Sequence, residues 1–139
     1  MKKVLLCLLA VVLLCLGLVA CVGEKASDDL WKDAIYTEDT EFGKGKNTII
    51  VEVKAEEKSV SFTINTDKTT VGEALVEHNL IEGENGAYGM YIKKVNGITA
   101  DYDKTKTYWS FSKNEEYMTT GVDDTQLKDG EHYELVYTK

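Results

Sequence analysis

Residues 107–122 read Thr-Tyr-Trp-Ser-Phe-Ser-Lys-Asn-Glu-Glu-Tyr-Met-Thr-Thr-Gly-Val and gather large, adaptable side chains that make this hairpin the candidate working surface. Aromatic faces supply contact area, hydroxyls supply a few orienting hydrogen bonds, and a methionine thioether adapts to irregular shapes. Tyr108, Ser110 and Ser112 alternate with Trp109 and Phe111, the period of a strand with one face buried. The polar residues 113–116 turn the chain back, so Tyr117 and Met118 return beside that strand. Period two sets Tyr108 and Trp109 on opposite faces: one holds the core and the other faces outward, and the sequence leaves open which. Core packing competes with ligand contact for every aromatic here, because half the side chains of a strand point inward.

Other groups capable of chemistry are scattered. His78 and His132 are the only histidines, and neither has a cysteine or a paired acid nearby in sequence. Asp101, Asp103 and Thr105 alternate like the start of a calcium loop, but the glycine and the terminal glutamate of such a loop are missing. Gly83, Gly86 and Gly89 lack the strand-GxGxxG-helix order and the GK[ST] ending of phosphate loops, and the stretch 82–89 reads as a mobile loop. With no GxSxG, no zinc-ligand cluster and no acid pair at a defined spacing, neither a metal site nor catalysis is expected, and no cofactor is required.

The N-terminus addresses the chain to a membrane surface. Lys2 and Lys3 precede an apolar run over residues 4–18, and Leu18-Val19-Ala20-Cys21 matches the lipobox, at which a bacterial lipoprotein is cut before a cysteine that receives lipid. The run is short for a transmembrane span and polar chain follows at once. The reading is a signal peptide over 1–20, a lipidated Cys21 with a tether over 21–45, and one domain over 46–139, extracytoplasmic and lipid-anchored to the bacterial cell membrane. Cys7 and Cys15 leave with the signal, so no disulfide is available. All sixteen basic residues are lysine; two leave with the signal, and the remaining fourteen face twenty-four Asp and Glu. An acidic chain without arginine is a poor match for nucleic acid.

The elements that must hold the aromatic hairpin follow from pattern. Ile49, Val51 and Val53 alternate with polar residues, as do Val60, Phe62 and Ile64, and the short polar stretch between makes the two strands an antiparallel hairpin. Thr70 stands three before Glu73, a capping-box spacing, and Val71, Ala74, Leu75 and His78 give a short helix ending near Asn79. A strand follows over 90–95, then the tight-turn pair Asn96-Gly97, the aromatic hairpin, and a last strand with Tyr133, Leu135 and Tyr137 on one face. Trp31, Ile35, Tyr36 and Phe42 are too many large apolar residues for a free linker, so residues 33–44 are expected to lie against the domain or to add an edge strand. Strand-strand-helix-strands is an α+β order, a β-grasp-like mixed sheet with one helix packed across it.

Thr-Val-Gly-Glu-Ala-Leu at 70–75, Val-Asn-Gly at 95–97, Tyr-Trp-Ser-Phe at 108–111, Gly-Val-Asp at 121–123 and Leu-Lys-Asp-Gly-Glu at 127–131 resemble the transcobalamin-like C-terminal domain family, a β-grasp family related to soluble-ligand-binding domains, over about residues 45–139. The resemblance implies a small-ligand binding module, with cobalamin or another corrinoid as ligand; a transporter or another surface protein is the expected partner of such a tethered domain. It places ligand contacts at Tyr108, Trp109 and Ser110, with Tyr117, Met118 and Tyr88 of the 86–88 loop as neighbours. Asn114-Glu115 stands where relatives often carry Asn-Gly, so a different hairpin shape is expected there. The alternative is a surface protein-interaction or structural module, whose aromatics are core or a docking face.

Overall fold

The computed structural model describes residues 29–139. The predicted signal peptide and Cys21 lie outside them. β2 (Asn47–Ala55) and β3 (Lys58–Thr66) form the expected antiparallel hairpin, with Ile49, Val51, Val53, Val60, Phe62 and Ile64 buried on one face. β1 (Thr40–Phe42) runs parallel to β3 as an edge strand. β9 (His132–Thr138) lies parallel to β2, and β7 (Tyr108–Lys113) pairs antiparallel with β9 and with the short β8 (Glu116–Tyr117). The strand order β1-β3-β2-β9-β7-β8 is a mixed six-stranded sheet.

Helix α1 (Val71–Glu77) buries Val71, Ala74 and Leu75 in the same core as the inner face of this sheet. Thr70 caps it by accepting a hydrogen bond from the Glu73 N–H at 3.2 Å, whereas the Glu73 carboxylate reaches back to the N–H of Thr69 at 3.1 Å rather than to that of Thr70. The helix stops because Asn79 takes a left-handed conformation, φ 56°, which lets the N–H groups of Asn79 and Leu80 satisfy the carbonyls of Val76 and Leu75.

Among the remaining elements the strand expected over 90–95 and the Asn96-Gly97 turn are present, and the others depart from the sequence expectations. Residues 82–89 are not a loop: β4 (Ile81–Gly86) pairs with β5 (Gly89–Val95), and β6 (Ile98–Thr99) completes a second, three-stranded sheet. After Ile81 every β4 side chain is exposed, so no alternation announced the strand. Gly83 follows a register shift in this hairpin, and a Cβ there would meet the Tyr91 carbonyl. A second helix, the single turn α2 (Tyr102–Thr105), is capped by the Asp101 carboxylate, which accepts from the N–H groups of Asp103 and Lys104. Helix capping therefore explains the acid at 101, and Asp103 stands in the first turn that Asp101 caps.

The segment assigned to the tether is packed from Asp29 onward. Trp31 is buried and its Nε1 donates to the Ala55 carbonyl at 2.9 Å, and the Tyr36 ring meets Phe42 and Phe62 edge-on. Residues 33–44 lie against the domain and supply the edge strand β1, as expected, so the packed part of the chain begins before residue 46 and its apolar side chains close the core beside β3.

Candidate functional site

Trp109 is the core member of its pair. It is 7% exposed, its Nε1 donates to the Ile98 carbonyl at 3.1 Å, and its ring meets Tyr137 edge-on. The stacking face expected of it is turned inward and is not offered to a ligand. Phe111, on the same side, stacks on Tyr133. Tyr108, Ser110 and Ser112 carry the opposite parity and belong to the face of the sheet away from Trp109 and Phe111.

On that outer face the register builds a row across four strands. Tyr117 of β8 stands opposite Ser112 of β7, Ser112 opposite Glu134 of β9, and Glu134 opposite Glu52 of β2. A groove of about 320 Å³ opens along the row, lined by Ser110, Ser112, Tyr117 and Glu134 with Lys54 and Val136 at its side and Glu115 in its wall. Ser110 Oγ donates to the Val136 carbonyl at 3.2 Å and accepts from Thr138 Oγ1 at 3.1 Å.

Glu134 is the unusual member. It is 3% exposed; Oε1 accepts from the Glu115 N–H at 2.9 Å, and Oε2 is buried without a hydrogen-bond partner among the described residues. The bond to Glu115 steadies a turn in which Asn114 and Glu115 both have positive φ, 49° and 68°. That is the geometry which an Asn-Gly pair favours, so the glutamate at 115 does not remove the left-handed turn, and Glu116 and Tyr117 of β8 follow it. Lys54 Nζ lies 3.7 Å from Glu52 Oε2, and His132 Nε2 lies 3.5 Å from the same oxygen.

The groove strand is braced at one end by Tyr133, Glu131 and Lys113. The Tyr133 hydroxyl donates to Glu131, and Lys113 Nζ lies 3.0 Å from Glu131 Oε2. Burial pushes the Tyr133 phenol well above its ordinary range, and its bond to Glu131 adds to the shift. Burial opposes the charge of Glu131, but the hydrogen bonds from Tyr133 and Lys113 outweigh it and hold the carboxyl below its usual range.

Of the predicted contacts, the groove brings together Ser110 and Tyr117, which is 74% exposed. Tyr108 lies on the same strand face, opposite Thr138. Tyr88 is 93% exposed in the turn between β4 and β5 and lines a separate cleft with Met90 and Tyr91. Met118 is half-buried and extends the β7–β8 ladder through its N–H to the Phe111 carbonyl. Sequence reasoning missed Glu134, Ser112, Lys54 and Glu115. The alternation of β9 already gave Glu134 the outward parity, but only strand pairing buries it. His78 stacks on Phe42 at the end of α1, and among the described residues no three His, Cys, Asp or Glu side chains are placed to hold a metal ion.

The fold and the groove define an α+β domain with a helix against the inner face of its mixed sheet and a polar groove on the outer face. The chain belongs to the family described as a domain of unknown function (DUF4430), whose model matches residues 68–139. A protein from Ruminococcus gnavus ATCC 29149, described as a candidate metal-binding protein, is 34% identical; its crystal structure matches with a TM-score of 0.65 over 68% of this chain and 98% of that one. Haptocorrin, solved in complex with Cbi, matches with a TM-score of 0.52 at 19% identity, over 70% of this chain and 26% of its own length. The fold is thus transcobalamin-like, and this chain corresponds to about a quarter of haptocorrin. No curated protein matches the chain.

Proposed function

We propose that this protein is a binding module, held outside the cytoplasmic membrane by lipid on Cys21, which captures a small ligand in the outer groove without making or breaking a bond. The observation that carries the reading is the convergence of Ser110, Ser112, Tyr117 and the buried Glu134 on one groove. Hydroxyls and a carboxylate orient a ligand there while the Tyr117 ring supplies apolar area. A corrinoid such as cobalamin is the first candidate. Its amide side chains suit polar groove walls, and the likeness of fold to haptocorrin supports the choice. The relative described as a candidate metal-binding protein is compatible with it, since a corrinoid carries a metal ion of its own.

Residues 29–139 enclose one core, so the chain from Ser27 onward is suited to solution tests. Calorimetric titration of that chain with cobalamin is expected to show saturable binding, weakened by Tyr117→Ala. A flat titration at high protein concentration overturns the corrinoid reading.

A further inference from the structure

We propose that Glu134 makes the groove a receptor for a hydrogen-bond-donating nitrogen, a primary amide or an ammonium, and sets it against carboxylates. This rests on the reading of the groove as the binding site and names the chemistry that the site selects. A carboxylate removed from water costs free energy for every oxygen left without a donor, and folded chains rarely keep such an atom unless something completes it. Glu134 keeps one. Its Oε1 is occupied by the Glu115 N–H, while Oε2 is buried and unpartnered among the described residues.

The surroundings decide what can complete it. Glu52 stands opposite Glu134 in the neighbouring strand, Glu115 sits in the groove wall, and Lys54, the one ammonium lining the groove among the described residues, lies toward Glu52. The local potential is therefore negative. It repels an anionic ligand group and favours an N–H donor, whose bond to a carboxylate is charge-assisted. Lys54, Glu115 and Tyr117 are less buried lining side chains and can shift to admit the donor to Oε2, and the exposed Tyr117 ring then covers the alkyl or cationic body that carries it.

The test is an ¹⁵N NMR titration of the chain from Ser27 with three probes of equal chain length: n-butylammonium, butyramide and n-butyrate. The Glu115 amide is the reporter, because it is hydrogen-bonded to Glu134. Butylammonium or butyramide should move it at concentrations about tenfold below those needed for butyrate, the worth of one charge-assisted hydrogen bond. Whichever of the two is the stronger identifies the donor as ammonium or amide. Glu134→Gln keeps an acceptor for Glu115 and should weaken the response about tenfold; Glu134→Asp, which withdraws the carboxylate, serves as the second variant and should do the same. Equal response to butyrate, no response to any probe, or variants that respond like the parent chain each overturn the proposal. A flat cobalamin titration beside a Glu134-dependent butylammonium response removes the corrinoid and leaves the receptor.

Discussion

The side chain of Asn96 and the backbone of Tyr36, sixty residues apart, are joined by a reciprocal pair of hydrogen bonds: Nδ2 donates to the Tyr36 carbonyl at 2.8 Å and Oδ1 accepts from the Tyr36 N–H at 2.9 Å. Asn96 is fully buried, and its backbone carbonyl also accepts from the Ile35 N–H. A turn residue between β5 and β6 thus fastens the N-terminal segment to the domain, much as a strand ladder would. The adjoining Gly97 completes the fit, since a Cβ there would collide with the Asp33 carbonyl. Asn96→Ala leaves the part-buried N–H and carbonyl of Tyr36 without their side-chain partner and should cost about 2 kcal/mol in urea unfolding. Unchanged stability would mean that the segment docks without the clamp.

Trp109 and Tyr117 should separate cleanly. Trp109→Ala empties a core site and is expected to cost about 3–5 kcal/mol of stability. Tyr117→Ala, at an exposed position, should stay within about 0.5 kcal/mol of the parent in the same unfolding measurement while weakening ligand capture. Comparable losses of stability in both would place Tyr117 in the core as well.

Glu115 occupies a left-handed conformation that suits glycine better. Glu115→Gly keeps the N–H that bonds Glu134 and should raise stability by about 1 kcal/mol, read as a rise of a few degrees in Tm. A fall in Tm would show that the glutamate side chain itself holds the turn.

Stability should be bounded in pH by the Tyr133–Glu131 brace. The Glu131 carboxyl is held below its ordinary value of 4.5, so its contribution is complete above that pH and is lost as pH falls through the folded-state value. The Tyr133 phenol is raised above its ordinary value of 10.0, so its contribution is complete below pH 10 and is lost as pH rises beyond. Tyr133→Phe should remove the alkaline loss that the phenol causes, and Lys113→Met should move the acid loss to higher pH, both read from unfolding midpoints across pH. An alkaline limb unaffected by Tyr133→Phe would assign that loss to other groups.

Cys21 is the predicted attachment point. Cys21→Ala should abolish labelling by a palmitate analogue in bacterial cells and leave the protein unprocessed at the lipobox. Labelling that survives the substitution would move the anchor elsewhere.

Much of this architecture is written in local pattern. The alternation over β2, β3, β7 and β9 assigns inner and outer faces because successive strand side chains point oppositely, and the Thr70–Glu73 spacing announces α1. β4 was illegible because its side chains after Ile81 all face water, leaving backbone pairing as its only reason to be straight. The candidate site was half legible: Ser110 and Tyr117 stand out beside conspicuous aromatics, whereas a glutamate alternating with Tyr133 and Leu135 looks like any solvated strand residue.

The sequence by itself determined that Tyr108 and Trp109 part to opposite faces and that a capped helix follows the first hairpin. These are short-range facts, governed by backbone geometry within a few residues. Only the tertiary structure decided that Trp109 is the core member, that Asn96 is the residue which clamps Tyr36, and that Glu134 is buried with one oxygen unmet among the described residues. Burial depends on which strands lie side by side, and the β2–β9 and β7–β9 pairings that enclose Glu134 join segments far apart in the chain.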